Sequence, residues 1–128
     1  MDLSTGLVGR AVLVVTEKDT AGALGSGDVP VLGTPRIVAL AEAATIDAVR
    51  PHLPDGTTTV GTWVELDHSA PSRPGSEVVA EAVLVEVDGR QLWFDITVRE
   101  AETVVASGRV RRTSVDRARF LARLGGAR

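Results

Sequence analysis

The chain of 128 residues contains no cysteine, which rules out a disulfide scaffold, a thiolate nucleophile and any cysteine-ligated metal. Histidine is nearly as scarce. Only His52 and His68 occur, in different contexts and without a ligand spacing, so nothing points to a bound zinc ion. The opening MDLSTGLVGR lacks both the basic start and the apolar stretch of a secretory leader, and no run approaches the roughly 18 apolar residues of a membrane span. The expected compartment is therefore the cytoplasm, with no membrane partner. Excess positive charge is missing as well. A net charge of −3 argues against nucleic acid as the main partner, because neutralising phosphates requires a basic face. Of the 14 Lys+Arg residues all but Lys18 are arginine, and seven of them fall between Arg109 and Arg128. Solvated strand and helix faces are the ordinary reading of that run, and a local anion site is the alternative.

What is present is an ordinary globular composition, 44% hydrophobic and 24% charged, with enough chain for one core. A single domain over residues 1–128 is expected. Its best-marked element is a helix from Thr34 to about Val49 in GTPRIVALAEAATIDAVRPHLP. Thr34 followed by Pro35 reads as an N-cap and first-turn pair, and Pro51 closes the other end. At about 100° per residue, Arg36, Ala43, Asp47 and Arg50 share one narrow stripe, the natural solvent face. Most of the remaining circumference is Ala, Val, Ile and Leu, so other structure must wrap this helix.

Strand signals surround it. Val8 to Val15 reads as a first strand, followed by a long loop from Thr16 to Gly33, a length that usually signifies a lid or a flexible segment. Thr57 to His68, Glu77 to Val87, Arg90 to Arg99 and Thr103 to Thr113 alternate apolar and polar residues. The inward sets are Val78, Ala80, Ala82 and Leu84, then Leu92, Phe94, Ile96 and Val98, then Val104, Ala106, Gly108 and Val110. Asp88-Gly89 marks a hairpin, and Val115 to Leu124 reads as a short amphipathic helix. Short connections between successive strands suit antiparallel pairing. The expected class is α+β: a five-stranded antiparallel sheet curled around one central helix, with a short C-terminal helix, the arrangement called the hotdog fold. Long edge strands in such a sheet are usually paired in a dimer, so a homodimer is expected.

Three polar residues interrupt the apolar patterns. Glu42 projects roughly 120° from the solvent stripe, flanked by Val38, Thr45, Ile46 and Val49, where a carboxylate must be paired or hydrogen-bonded. His68 falls on the even-numbered face of its strand with Val60, Thr62, Val64 and Leu66, opposite Trp63, Glu65 and Asp67, and SAPSRPG then stops the strand at the rim. Thr34 opens the helix. A hydroxyl, a carboxylate and an imidazole are the parts of an acyl-transfer site. Taken singly, Thr34 is a cap, Glu42 a helix carboxylate reaching a loop, and His68 a strand-end histidine. His52 reads as a loop residue.

The order and spacing of TPRIVALAEAATIDAVRPHLPDGTTTVGTWVELDHSAPSRPGSEV resemble the hotdog thioesterases related to fluoroacetyl-CoA thioesterase, over about Leu32 to Arg112. The resemblance rests on the Thr at the helix start, the Glu eight residues on, and a Gly-Thr pair leading to a His before a Pro-Gly turn. It implies hydrolysis of an acyl-CoA thioester with Thr34, Glu42 and His68 as the catalytic residues. It also implies that Gly61 lies beside the acyl group and that Arg112 contacts CoA. No cofactor is implied beyond the CoA of the substrate. The family's prototype has phenylalanines in the lid before the helix, whereas GSGDVPVLG at residues 25–33 has none, which leaves the acyl group open.

An ordinary imidazole titrates near pH 6.5, so His68 suits a general base, with Thr34 either the attacking hydroxyl or a hydrogen-bond donor to the substrate. The start of the helix offers partial positive charge to a developing oxyanion. The alternative function is a non-catalytic hotdog module that binds an acyl-CoA or a small apolar ligand. Hydration of an enoyl thioester ranks third, because it calls for a close Asp and His pair and alternation sends Asp67 away from His68.

Overall fold

Sixteen residues with three well-placed alanines make the element around which the rest is organised: helix α2, Thr34–Val49, buries Ile37, Leu40, Ala41, Ala44, Thr45, Ala48 and Val49. The structure is a computed structural model that describes residues 3–126. Before α2 come strand β1 (Val8–Val14) and a four-residue helix α1 (Ala21–Leu24); after it come β2 (Thr57–His68), β3 (Glu77–Asp88), β4 (Gln91–Glu100), β5 (Thr103–Asp116) and α3 (Arg117–Gly126). The strands form one antiparallel sheet in the order β1-β3-β4-β5-β2, so β1 and β2 are its edges. The expected five-stranded sheet, central helix and short C-terminal helix are all present.

The helix lies mainly over β1 and β3, and touches β2 lightly. Small residues set that closeness. A Cβ at Gly9 of β1 would overlap the Ala44 carbonyl oxygen and the Ala48 amide, so the strand meets the helix backbone to backbone. The side chains Val78, Ala80, Ala82 and Leu84 of β3 and Leu92, Phe94, Ile96 and Val98 of β4 are all buried, as alternation requires.

Elsewhere the backbone departs from simple alternation. The β2–β5 register slips between Gly61 and Trp63, leaving Thr62 as the extra residue of a bulge. Val64, Leu66 and His68 keep the expected inward phase, but ahead of the bulge the inward residues are Thr59 and Gly61, not Val60 and Thr62. A similar slip beside Val98 buries Val105 and leaves Val104 41% exposed, reversing the expected assignment there. The β3–β4 turn is centred on Gly89 and Arg90, one residue later than expected, with Gly89 at φ 60°. On the outer face Trp63 and Trp93 meet in a tilted pair, ring centroids 5.6 Å apart, with Arg111 over the Trp93 ring.

The segment from Thr16 to Gly33 is more structured than a loop. A 3-10 turn at Glu17–Asp19 leads into α1, where the Thr20 hydroxyl accepts from the Ala23 amide (3.3 Å). Gly33 donates to the Asp19 carbonyl and Leu32 to that of Ser72, so this segment is tied down beside the start of α2. Asp19 also pairs with Arg36 at 3.2 Å; the Thr16 amide, and then Arg36, hold its carboxyl below the usual range. At the other end, β5 runs on to Asp116 because Thr57 and Thr58 continue the ladder opposite it, so Val115 belongs to the strand and not to the helix. Asp116 then caps α3, accepting from the Arg119 amide at 2.9 Å.

Ala101, in the β4–β5 turn, has φ 51°, where a Cβ is strained. Ala101→Gly is expected to raise stability by about 0.5 kcal/mol, read as a higher urea midpoint; an unchanged midpoint would mean that the turn carries no strain.

Candidate active site

Thr34 is the first residue inside α2, and the cap position is Gly33. The expected capping role is therefore vacant, because a hydroxyl at the first helical position does not point back at the amides it would have to satisfy. It is turned instead to His68, with Thr34 Oγ1 and His68 Nδ1 2.8 Å apart. His68 is the last residue of β2, opposite Ala106 of β5, which sets its ring beside the helix start. The other ring nitrogen, Nε2, is buried and has no hydrogen-bond partner among the described residues. When Nδ1 accepts the threonine proton, Nε2 carries the ring hydrogen and calls for an acceptor.

Glu42 lies eight residues further along α2, about 12 Å down the axis, and belongs to a second cluster. Its Oε2 accepts from Arg112 Nη1 at 3.3 Å. The Arg112 side chain is 6% exposed, with Nε donating to Thr59 Oγ1 (2.8 Å) and Nη2 to the Thr59 carbonyl (3.1 Å). Burial pushes the guanidinium below its usual pKa, and the Glu42 charge works in the opposite direction. Gly61 faces Arg112 across the β2–β5 ladder, and a Cβ there would overlap Glu42 Oε2. The absence of a side chain at Gly61 is what admits the carboxylate.

Bulging at Thr62 is what relates the two clusters. Gly61 and His68 are seven positions apart, an odd number that in a regular strand sends them to opposite faces. One extra residue restores both to the face that α2 covers.

The structure thus brings Thr34 to His68, and Glu42 to Gly61 and Arg112, but within one chain no hydrogen bond joins Glu42 to His68 among the described residues. Arg112, expected against CoA, has its donors turned to Glu42 and Thr59. Thr59 was not foreseen as part of this region; without the bulge, alternation puts it on the opposite face from His68. His52 sits in a 3-10 turn after α2, away from both clusters. A larger opening of about 460 Å³, lined by residues including Glu17, Lys18 and Pro74, contains none of these residues. No helix of the described residues is long and apolar enough to cross a membrane.

A curled antiparallel sheet wrapped around one long helix is the hotdog fold, shared by solved thioesterases. The family model for fluoroacetyl-CoA-specific thioesterase matches residues 15–118, and the chain belongs to that family of thioester hydrolases. It is 30% identical over 94 residues to the fluoroacetyl-CoA thioesterase of Streptantibioticus cattleyicolor, covering 73% of this chain and 68% of that protein. A solved structure of a fluoroacetyl-CoA thioesterase superposes with a TM-score of 0.90 at 26% identity, over 98% of both chains. A thioesterase superfamily member from Thermus thermophilus gives a TM-score of 0.92 at 25% identity, covering 99% of this chain and 95% of that one.

Proposed function

We propose that this protein hydrolyses an acyl-CoA thioester to the free acid and CoA, with Thr34, Glu42 and His68 at the reacting centre and no further cofactor. The observation that carries this reading is the 2.8 Å contact between Thr34 Oγ1 and His68 Nδ1, a hydroxyl within proton-transfer distance of an imidazole. In this reading Nδ1 takes the hydroxyl proton as Oγ1 attacks the thioester carbonyl. The C–S bond breaks and CoA leaves as the thiol, after which water releases the acid from Thr34. The partial positive charge at the start of α2 suits the developing oxyanion. In this reading Gly61 lies beside the acyl group, with the space of its missing side chain taken by the Glu42 carboxylate.

The same reading includes a homodimer that completes the cleft. β2 is an edge strand with Trp63 and Val64 exposed, a surface that edge pairing would cover. Two antiparallel β2 strands paired about Val64 and Glu65 would oppose Gly61 to the partner subunit's His68. Glu42 would thereby lie near the imidazole whose Nε2 has no acceptor among the described residues.

Thiol release measured over short, branched and aromatic acyl-CoAs tests the activity. Turnover is expected for at least one chain class. Tight binding with no release across the panel would replace hydrolysis by the ligand-binding function.

A further inference from the structure

At the far end of α2 from Thr34, a cleft of about 270 Å³ opens between the helix, the first residues of β2 and the start of α3. Arg50 and Arg117 stand on its walls, together with Thr57, Thr58 and Thr59, while Val49 and Leu53 supply an apolar surface. Neither Arg50 nor Arg117 forms an ion pair among the described residues, as is also true of several arginines elsewhere on the chain, and these two share one cleft. Asp116, next to Arg117, has its carboxylate turned to the Arg119 amide. Two unpaired guanidinium groups beside hydroxyl donors give this cleft local positive charge on a protein of net charge −3.

The cleft is continuous with the Glu42 cluster. Thr59 lines it and also accepts from Arg112, which in turn holds Glu42. Arg50, the residue that caps the C-terminus of α2, follows Glu42 by eight residues, about 12 Å along the axis. CoA carries its phosphates at the far end of a long uncharged arm, so a protein that reacts with the thioester must hold those phosphates well away from the reacting carbonyl.

Resting on the acyl-CoA reading above, we infer that Arg50 and Arg117, with the Thr57–Thr59 hydroxyls, form the site that binds the nucleotide phosphates of CoA. The two arginines are binding residues only and take no part in the chemistry.

The test compares wild type with Arg50→Gln, Arg117→Gln and the double variant on two thioesters of the same acid, one of CoA and one of N-acetylcysteamine, which has no phosphates. KM for the CoA thioester is expected to rise about tenfold per arginine lost, with kcat nearly unchanged and KM for the truncated thioester unaltered. Calorimetric titration with free CoA should show the same weakening. An unchanged KM for the CoA thioester, or equal losses on both thioesters, would overturn the site. If wild type hydrolyses neither thioester, the hydrolase reading fails, and the CoA titration decides the site by itself: weaker binding in the double variant supports it, and equal binding rejects it.

Discussion

His68→Ala is expected to lower kcat for acyl-CoA hydrolysis by about 10²- to 10⁴-fold, the range for a positioned general base, while leaving the protein folded. Among the described residues the imidazole makes a single hydrogen bond, to Thr34. Its loss costs about 1 kcal/mol, and removing a buried Nε2 without a partner offsets part of that. The residue ends β2, so its backbone ladder is undisturbed. Thr34→Val is expected to produce a loss of similar size, and the double variant to be no slower than the worse single one, because a hydroxyl and its base act as one unit. Thiol-release kinetics alongside thermal melts check this. Turnover within a few-fold of wild type in His68→Ala, with melting unchanged, would remove the imidazole from the chemistry.

Gly9→Ala is expected to destabilise the fold by about 3 kcal/mol, the upper end of overpacking costs. The added methyl would collide with the backbone of Ala44 and Ala48, with the Ala48 Cα at only 2.8 Å. Backbone cannot rotate away as a flexible side chain does, so α2 must lift from β1. Against a typical total of about 5–15 kcal/mol, that is a large fraction. Gly22→Ala is the control, since nothing lies within 4 Å of a Cβ there. Denaturant midpoints separate the two variants; a Gly9→Ala protein as stable as the control would show that the helix can shift freely. Because α2 carries both Thr34 and Glu42, the same displacement should impair turnover in whatever fraction remains folded.

The parts of this structure legible in the sequence are those whose causes are local. Helix α2 has the expected bounds because Pro35 fits a first turn and Pro51 cannot continue the helix. The inward faces of β3 and β4 follow from strict alternation between two buried neighbours. That His68 faces the helix follows from alternation in β2, but alternation alone does not say that the ring meets Thr34 rather than Glu42. Non-local causes were not legible. The bulge at Thr62 is a matter of register against β5, and nothing in β2 alone announces it. The pairing of Glu42 with Arg112 depends on that register, as does the part played by Thr59. Helix α1 is too short to be marked by periodicity; backbone bonds from Leu32 and Gly33 to distant residues hold its segment in place.

The inserted Thr62 has a consequence for how this cleft can change over generations. Loss of the Thr62 codon would leave Gly61 and His68 six positions apart, an even number, so a β2 without its bulge would still set both against the helix. The Gly61–Arg112 and Trp63–Arg111 pairs that now flank the extra residue would become consecutive rungs of one regular ladder. The insertion is thus compatible with either strand length, and a lineage that sheds it keeps the facing of both residues along with the architecture.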